Sequence, residues 1–358
     1  MPVATLPAPA TIDRLDDFDA VIDARSEAEF AEDHVPGAWN WPTLNNEERI
    51  LIGTLYKQVN AFEAKKRGAA LSARNIATHI EREVIDKPKG WKPLVYCWRG
   101  GNRSGALATI LGAIGFQVTL IEGGYKAWRN ALLAQLPVLS KRLHYRVVCG
   151  PTGSGKTRLL QALARRGAQV LDLEALACHR SSVLGLVPGQ PQPSQKQFDS
   201  MIWQALRQFD PDRVVFVESE SKKVGNLRVP DGLMDAMRTS PCLDLQLNDD
   251  ERVALLMEDY DHFLKDASFF CERLDTLVTL RGHETIDAWK SQVKAGQSAA
   301  VVRALLQVHY DPVYAASIRR NFVQYGSALP CPLANRSWAA LDALARDIVA
   351  HQTSTVSA

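Results

Sequence analysis

The segment GPTGSGKT, residues 150–157, constrains this chain more than any other feature. It follows the apolar run YRVVC and opens into TRLLQALARRG. Its spacing, G-x-x-x-x-G-K-T, is that of a phosphate-cradling loop. Such a loop works only between a buried strand and a helix, where backbone N–H groups and the helix start converge on one anion. The surrounding fold must therefore be α/β with a parallel sheet. The backbone from Gly150 through Pro151, Thr152, Gly153, Ser154 and Gly155 would wrap the phosphates. Lys156 would reach the terminal phosphates, and Thr157 would hold Mg²⁺ if a metal is used.

The residues after the loop extend the pattern. Strands are expected at 168–173, 213–218 and 242–247, with a Gly/Pro/Gln-rich loop over 185–197 and a helix ending near Phe209. After about residue 250 the pattern is helical to the end. Asp172 and Glu174 close one strand, and Glu218 and Glu220 close another. Ligands of open α/β sheets gather beyond strand C-termini, so these acids are candidate site residues. His179, Arg180, Lys222, Lys223 and Arg228 are the basic candidates for contacts to diphosphate or an RNA backbone.

A second loop lies upstream in YCWRGGNRSGA, residues 96–106. Cys97 ends the apolar run PLVYC and precedes the helix expected over 104–115. Two glycines let the backbone turn its N–H groups inward, and the helix start adds positive potential. Cys97 is thus placed as a nucleophile, with Trp98, Arg99, Gly100, Gly101, Asn102, Arg103 and Ser104 forming an anion loop around it. The Cys-x5-Arg spacing also suits an oxyanion loop of the cysteine-phosphatase or arsenate-reductase kind. AVIDAR (20–25) reads as a buried strand, 47–86 as surface helices, and QVTLIEGGYKAWRNAL as strand, turn and helix. Trp39, Trp41, Trp91 and Trp128 read as packing residues. Pro137 and the basic run KRLHYR mark a boundary, giving domains at 1–138, 139–250 and 251–358.

The first region resembles the rhodanese family in VIDARSEAEFAEDHVPGAWN, YCWRGGNRSG and IEGGYKAWR. The resemblance implies that Cys97 carries sulfur or selenium, that Asp23 and Arg25 brace the domain, and that His34, Pro36 and Gly37 form a family turn. The Cys97–Arg103 loop is one residue longer than the usual sulfurtransferase loop, which suits a larger tetrahedral donor such as selenophosphate.

Charge must be divided before it says anything about partners. The chain carries 42 Lys and Arg against 40 Asp and Glu. Residues 1–140 hold 16 of each, residues 141–238 hold 15 basic against 9 acidic, and residues 239–358 hold 11 against 15. The middle region is the one suited to a polyanion. Six cysteines without a CxxC argue against a disulfide framework or a zinc site. A soluble cytoplasmic protein is expected, since no signal-peptide pattern or long apolar run is present.

A rhodanese-like domain followed by a phosphate-loop NTPase-like parallel-sheet domain and a helical C-terminal region resembles the bacterial tRNA 2-selenouridine synthase family. VLDLEALACHRSSVLG, FVESESKKVGNLRVP and YDPVYAASI add to the likeness; Ala175 and Ser181 stand where that family commonly has glycine. The resemblance implies a tRNA-modifying transferase. It would geranylate the wobble 2-thiouridine of tRNAs for Lys, Glu and Gln from geranyl diphosphate, then exchange the geranylthio group for selenium from selenophosphate. No tightly bound cofactor is expected, and a selenophosphate-supplying enzyme is a candidate partner. A phosphatase, a phosphate-loop kinase or ATPase, and an RNA-binding scaffold remain the alternatives. Each would dispense with at least one of tRNA, selenophosphate, Cys97 and Lys156.

Overall fold

The computed structural model describes residues 3–180, 189–261 and 266–355. The chain divides into two compact units, one of residues 1–136 with 193–204 and one of residues 137–192 with 205–358.

The first unit is built on a five-stranded parallel sheet. Its strands are β1 (Ala4–Pro7), β2 (Ala20–Asp23), β3 (Trp39–Asn40), β4 (Pro93–Tyr96) and β5 (Thr119–Glu122), in the order β1-β5-β4-β2-β3. The central strands β2 and β4 are buried throughout, as expected inside a parallel sheet, although β2 ends in the charged Asp23. The expected surface helices over 47–86 form a hairpin, Asn46–Gln58 and Ala61–Glu83, each capped at its start by an asparagine side chain. Arg25 lies wholly inside this unit. Its guanidinium meets the Asp23 carboxylate at 2.6 Å, donates to the Asp33 carbonyl at 2.6 Å, and lies 4.0 Å from the centre of the Tyr125 ring. Burial alone would disfavour its charge, but the Asp23 carboxylate outweighs that and raises the Arg25 pKa. His34 stacks on Phe30 with ring centres 3.8 Å apart. Trp41, Trp91 and Trp128 are buried as expected, whereas Trp39 is 42% exposed. It sits on the two-residue edge strand, and its ring is covered by the Lys87 ammonium at 5.1 Å instead of by core.

Part of the helix Gln195–Gln208 belongs to this unit: Arg129 binds the Asp199 carboxylate, and Trp128 and Trp203 meet edge to face with centres 6.1 Å apart. Pro137 does not interrupt the chain but lies inside the helix Gly124–Arg142. A proline at 137 has no N–H to offer the carbonyl of Leu133, four residues before it.

The second unit carries another five-stranded parallel sheet, with β6 (Tyr145–Cys149), β7 (Gln169–Leu171), β8 (Val215–Glu218), β11 (Cys242–Gln246) and β12 (Leu329–Pro332) in the order β12-β11-β6-β8-β7. A small hairpin of β9 (Lys223–Val224) and β10 (Leu227–Arg228) stands apart from it. The helices Lys156–Arg165 and Trp338–Thr355 pack on the sheet through a core that includes Leu159, Leu163, Phe216, Leu245 and Leu341.

The C-terminal region is not helical throughout, because β12 returns to the sheet edge. Its sequence LPCP hides this: two prolines lack N–H donors, which excludes a central position but suits an edge strand. Between these, Phe270, Leu274, Ile286, Trp289 and Leu305 close a separate helical core. Among the described residues no helix is long and apolar enough to cross a membrane.

Candidate functional site

Cys97 is buried immediately after β4, and its Sγ accepts from the Gly101 N–H at 3.3 Å and the Ser104 hydroxyl at 3.1 Å. The helix Asn102–Ile114 starts at this point, so its positive end and two donors converge on one sulfur. The loop is bolted to the first turn of the helix Gly124–Arg142: Tyr125 N–H donates to the Cys97 carbonyl at 2.8 Å and Lys126 N–H to that of Trp98 at 3.1 Å. Gly124 has φ +60°, and a Cβ there would lie 2.3 Å from the Cys97 carbonyl oxygen and 2.5 Å from the Gly100 nitrogen. Gly124→Ala is expected to destabilise the chain by at least about 2 kcal/mol, combining a forbidden backbone region with overpacking. A thermal melt beside wild type checks this; an unchanged transition would contradict the close approach.

Arg99 and Asn102 are exposed at this loop, but Arg103 is not available to it as expected. Its two terminal nitrogens bind the Glu29 carboxylate at 2.5 and 3.1 Å. Burial opposes the Glu29 charge, yet these bonds prevail and hold its carboxyl below the ordinary range. Glu29 is itself fixed by the capping box it forms with Ser26.

The phosphate loop leaves β6 as expected and enters the helix Lys156–Arg165. Gly150, Gly153 and Gly155 all take positive φ. Lys156 Nζ donates to the Gly150 carbonyl at 2.7 Å, and the Thr157 hydroxyl donates to Glu174 at 3.0 Å. Glu218 is fully buried and accepts the Glu174 N–H at 2.9 Å. Burial, with Asp172, Glu174 and Glu220 nearby, pushes its carboxyl well above the ordinary range. Asp172 caps the short helix Leu173–Leu176 by accepting from Ala175 N–H at 2.8 Å. Its carboxyl is raised by burial, with Glu174 adding to the shift and the Ala175 bond opposing it.

A cavity of about 670 Å³ opens beside Lys156 and Thr157. Its polar lining includes Glu174, His179, Arg180, Glu220 and Lys223, and its apolar lining Leu255, Leu256, Val313, Ile318 and Phe322. His179 is buried behind Cys178, which takes φ +47°, rare for a residue with a Cβ. Burial lowers the His179 pKa, the Glu174 charge opposing, which favours the neutral ring. Arg180 donates to the Asp259 carbonyl and lies over Tyr260, 5.0 Å from its ring centre. Lys222 and Arg228 are exposed outside this lining, and Arg228 pairs with Asp231 at 2.8 Å. Ser181 and residues 185–188 of the expected loop lie outside the described residues.

Sequence reasoning missed three side chains that touch the loop. Tyr314 accepts the Gly150 N–H, Arg252 binds the Thr152 carbonyl, and Leu256 occupies the space a Cβ of Gly153 would need. Tyr314 lay in a noted segment, YDPVY, but nothing in the sequence tied that segment to the loop.

Two family models match the chain in series: the rhodanese-like domain over residues 8–131 and the tRNA 2-selenouridine synthase AAA domain over residues 143–275. A tRNA 2-selenouridine synthase of Nitrosomonas europaea is 36% identical over 67% of this chain; the match spans 63% of that relative, less than two thirds. The corresponding protein of Bdellovibrio bacteriovorus is 30% identical over 85% of this chain and 90% of its own length. That of Aeromonas salmonicida is 31% identical over 84% and 87%. With both domains present in that order and such relatives aligned along most of their length, the chain belongs to the tRNA 2-selenouridine synthase family.

Proposed function

We infer that the chain is a transferase that acts on tRNA in two steps. It geranylates the wobble 2-thiouridine of tRNAs for Lys, Glu and Gln with geranyl diphosphate, then replaces the geranylthio group with selenium derived from selenophosphate. The observation that carries this reading is the mixed lining of one cavity, where residues of the phosphate loop stand together with Leu255, Leu256, Val313, Ile318 and Phe322. A ligand filling it would meet phosphate-binding groups and hydrocarbon side chains together, which suits a prenyl diphosphate.

The chemistry follows from that pairing. The thiocarbonyl sulfur would attack the allylic carbon as its C–O bond breaks, with Lys156 and the loop N–H groups stabilising the departing diphosphate. Alkylation converts sulfur from a poor leaving group into one that leaves readily as geranylthiolate. The Cys97 loop, with the Gly101 and Ser104 donors aimed at its sulfur, would then present the selenium. The engagement of Arg103 by Glu29 removes support from the phosphatase reading, which needs that arginine on the oxyanion. For Mg²⁺, Thr157 is the candidate ligand, but its hydroxyl is bonded to Glu174, and no group of three or more His, Cys, Asp or Glu among the described residues is arranged to hold a metal. A selenophosphate-supplying enzyme would be the partner upstream.

Mass spectrometry of wobble nucleosides tests the function. Thiolated tRNA with geranyl diphosphate alone should yield the S-geranyl nucleoside, and both donors together should yield 2-selenouridine. Selenouridine formed without geranyl diphosphate from non-geranylated tRNA would overturn the order of steps.

A further inference from the structure

The segment YDPVY, residues 310–314, belongs to neither loop in sequence, yet it holds one of them in place. The helix Asp311–Asn321 follows directly on a π-helical turn, Leu306–Tyr310, a geometry concentrated at functional positions. At its first residue, the Asp311 carboxylate accepts from two nitrogens of Arg252, at 2.6 and 3.1 Å. Arg252 is 4% exposed, and it donates twice more, to the Thr152 carbonyl at 2.8 and 3.1 Å. One turn later, the Tyr314 hydroxyl accepts the Gly150 N–H at 2.6 Å. The first and third residues of the phosphate loop are therefore both tied to one helix.

That helix also contributes to the lining of the cavity. Val313, Tyr314 and Ile318 line the cavity, with Phe322 just beyond the helix end. Burial keeps the Tyr314 phenol protonated at any ordinary pH, so it remains a hydroxyl at the Gly150 amide. Arg252 without Asp311 would be a buried cation facing only a carbonyl and the exposed Asp249, an arrangement that would let the loop drift.

We propose that Asp311, acting through Arg252, and Tyr314 are positioning residues that hold the phosphate loop in its diphosphate-binding form from a helix that also lines the same cavity. This rests on the prenyl diphosphate reading for the identity of the ligand, but the brace itself concerns any diphosphate. The test uses the full chain and two probes, inorganic pyrophosphate and geranyl diphosphate, titrated by calorimetry, with steady-state geranyl transfer alongside. Asp311→Asn should weaken both probes by about tenfold, in the direction measured when one partner of a buried charge pair is removed. The ratio of the two affinities should stay constant, and KM for geranyl diphosphate should rise more than kcat falls. Ile318→Ala should instead weaken geranyl diphosphate and leave pyrophosphate unchanged.

A folded Asp311→Asn chain that binds pyrophosphate as wild type does would overturn the brace. Should that variant not fold, Tyr314→Phe decides: it removes a single oxygen, and a few-fold loss of pyrophosphate affinity supports the proposal while an unchanged affinity sinks it. Wild-type chain that binds pyrophosphate without preferring the geranyl ester would defeat the prenyl reading, and the effect of Asp311→Asn on pyrophosphate would still judge the brace.

Discussion

Cys97→Ala is expected to end selenium incorporation while S-geranylated tRNA accumulates. The loss should be about a thousandfold or more, the scale on which removal of a covalent nucleophile is felt. The substitution is small inside the fold: Cys97 is buried at the end of β4, and the Ser104 hydroxyl that loses its sulfur acceptor already lies 3.4 Å from the Gly101 carbonyl. Alanine keeps the loop backbone, so geranyl transfer, which the proposed mechanism assigns to the second unit, should persist. Nucleoside mass spectrometry after incubation with both donors reads the two products together. A folded Cys97→Ala chain that no longer geranylates would end this division of labour.

Lys156→Ala should do the reverse, lowering geranyl transfer by about 10²–10³-fold, the usual cost of removing a group that stabilises developing negative charge. Lys156 Nζ now bonds the Gly150 carbonyl and lies 5.8 Å from the Tyr314 ring centre, within reach of the loop interior. Diphosphate would compete for that ammonium directly. Supplying tRNA that is already S-geranylated should restore selenium incorporation by the variant, because that step bypasses the phosphate loop. Unchanged geranyl transfer would rule out the diphosphate role, and failure on pre-geranylated tRNA would show that the loop serves both steps.

Much of this was legible along the chain, because the two loops carry their chemistry locally. The spacing of GPTGSGKT and the glycines of YCWRGGNRSG dictate where the backbone turns, and the structure places positive φ at Gly150, Gly153, Gly155 and Gly100. The runs AVI and PLVY are short, apolar and buried, so their strands could be read directly. The edge strand LPCP could not, since its prolines resemble a turn until a neighbouring strand is known.

Partners distant in sequence behaved differently. Arg103 looked like an anion ligand from its place beside Cys97, but its carboxylate partner is Glu29, 74 residues away. Arg252 lies 100 residues from Thr152 and Tyr314 lies 164 from Gly150, with no local pattern to announce either contact. The sequence by itself therefore determined that the chain has a cysteine loop and a phosphate loop on two parallel-sheet frameworks. Only the tertiary structure decided which charges remain available to those loops and which helix supports them. Turn geometry follows from nearest-neighbour backbone sterics, whereas the pairing of a charge depends on which groups folding buries beside it.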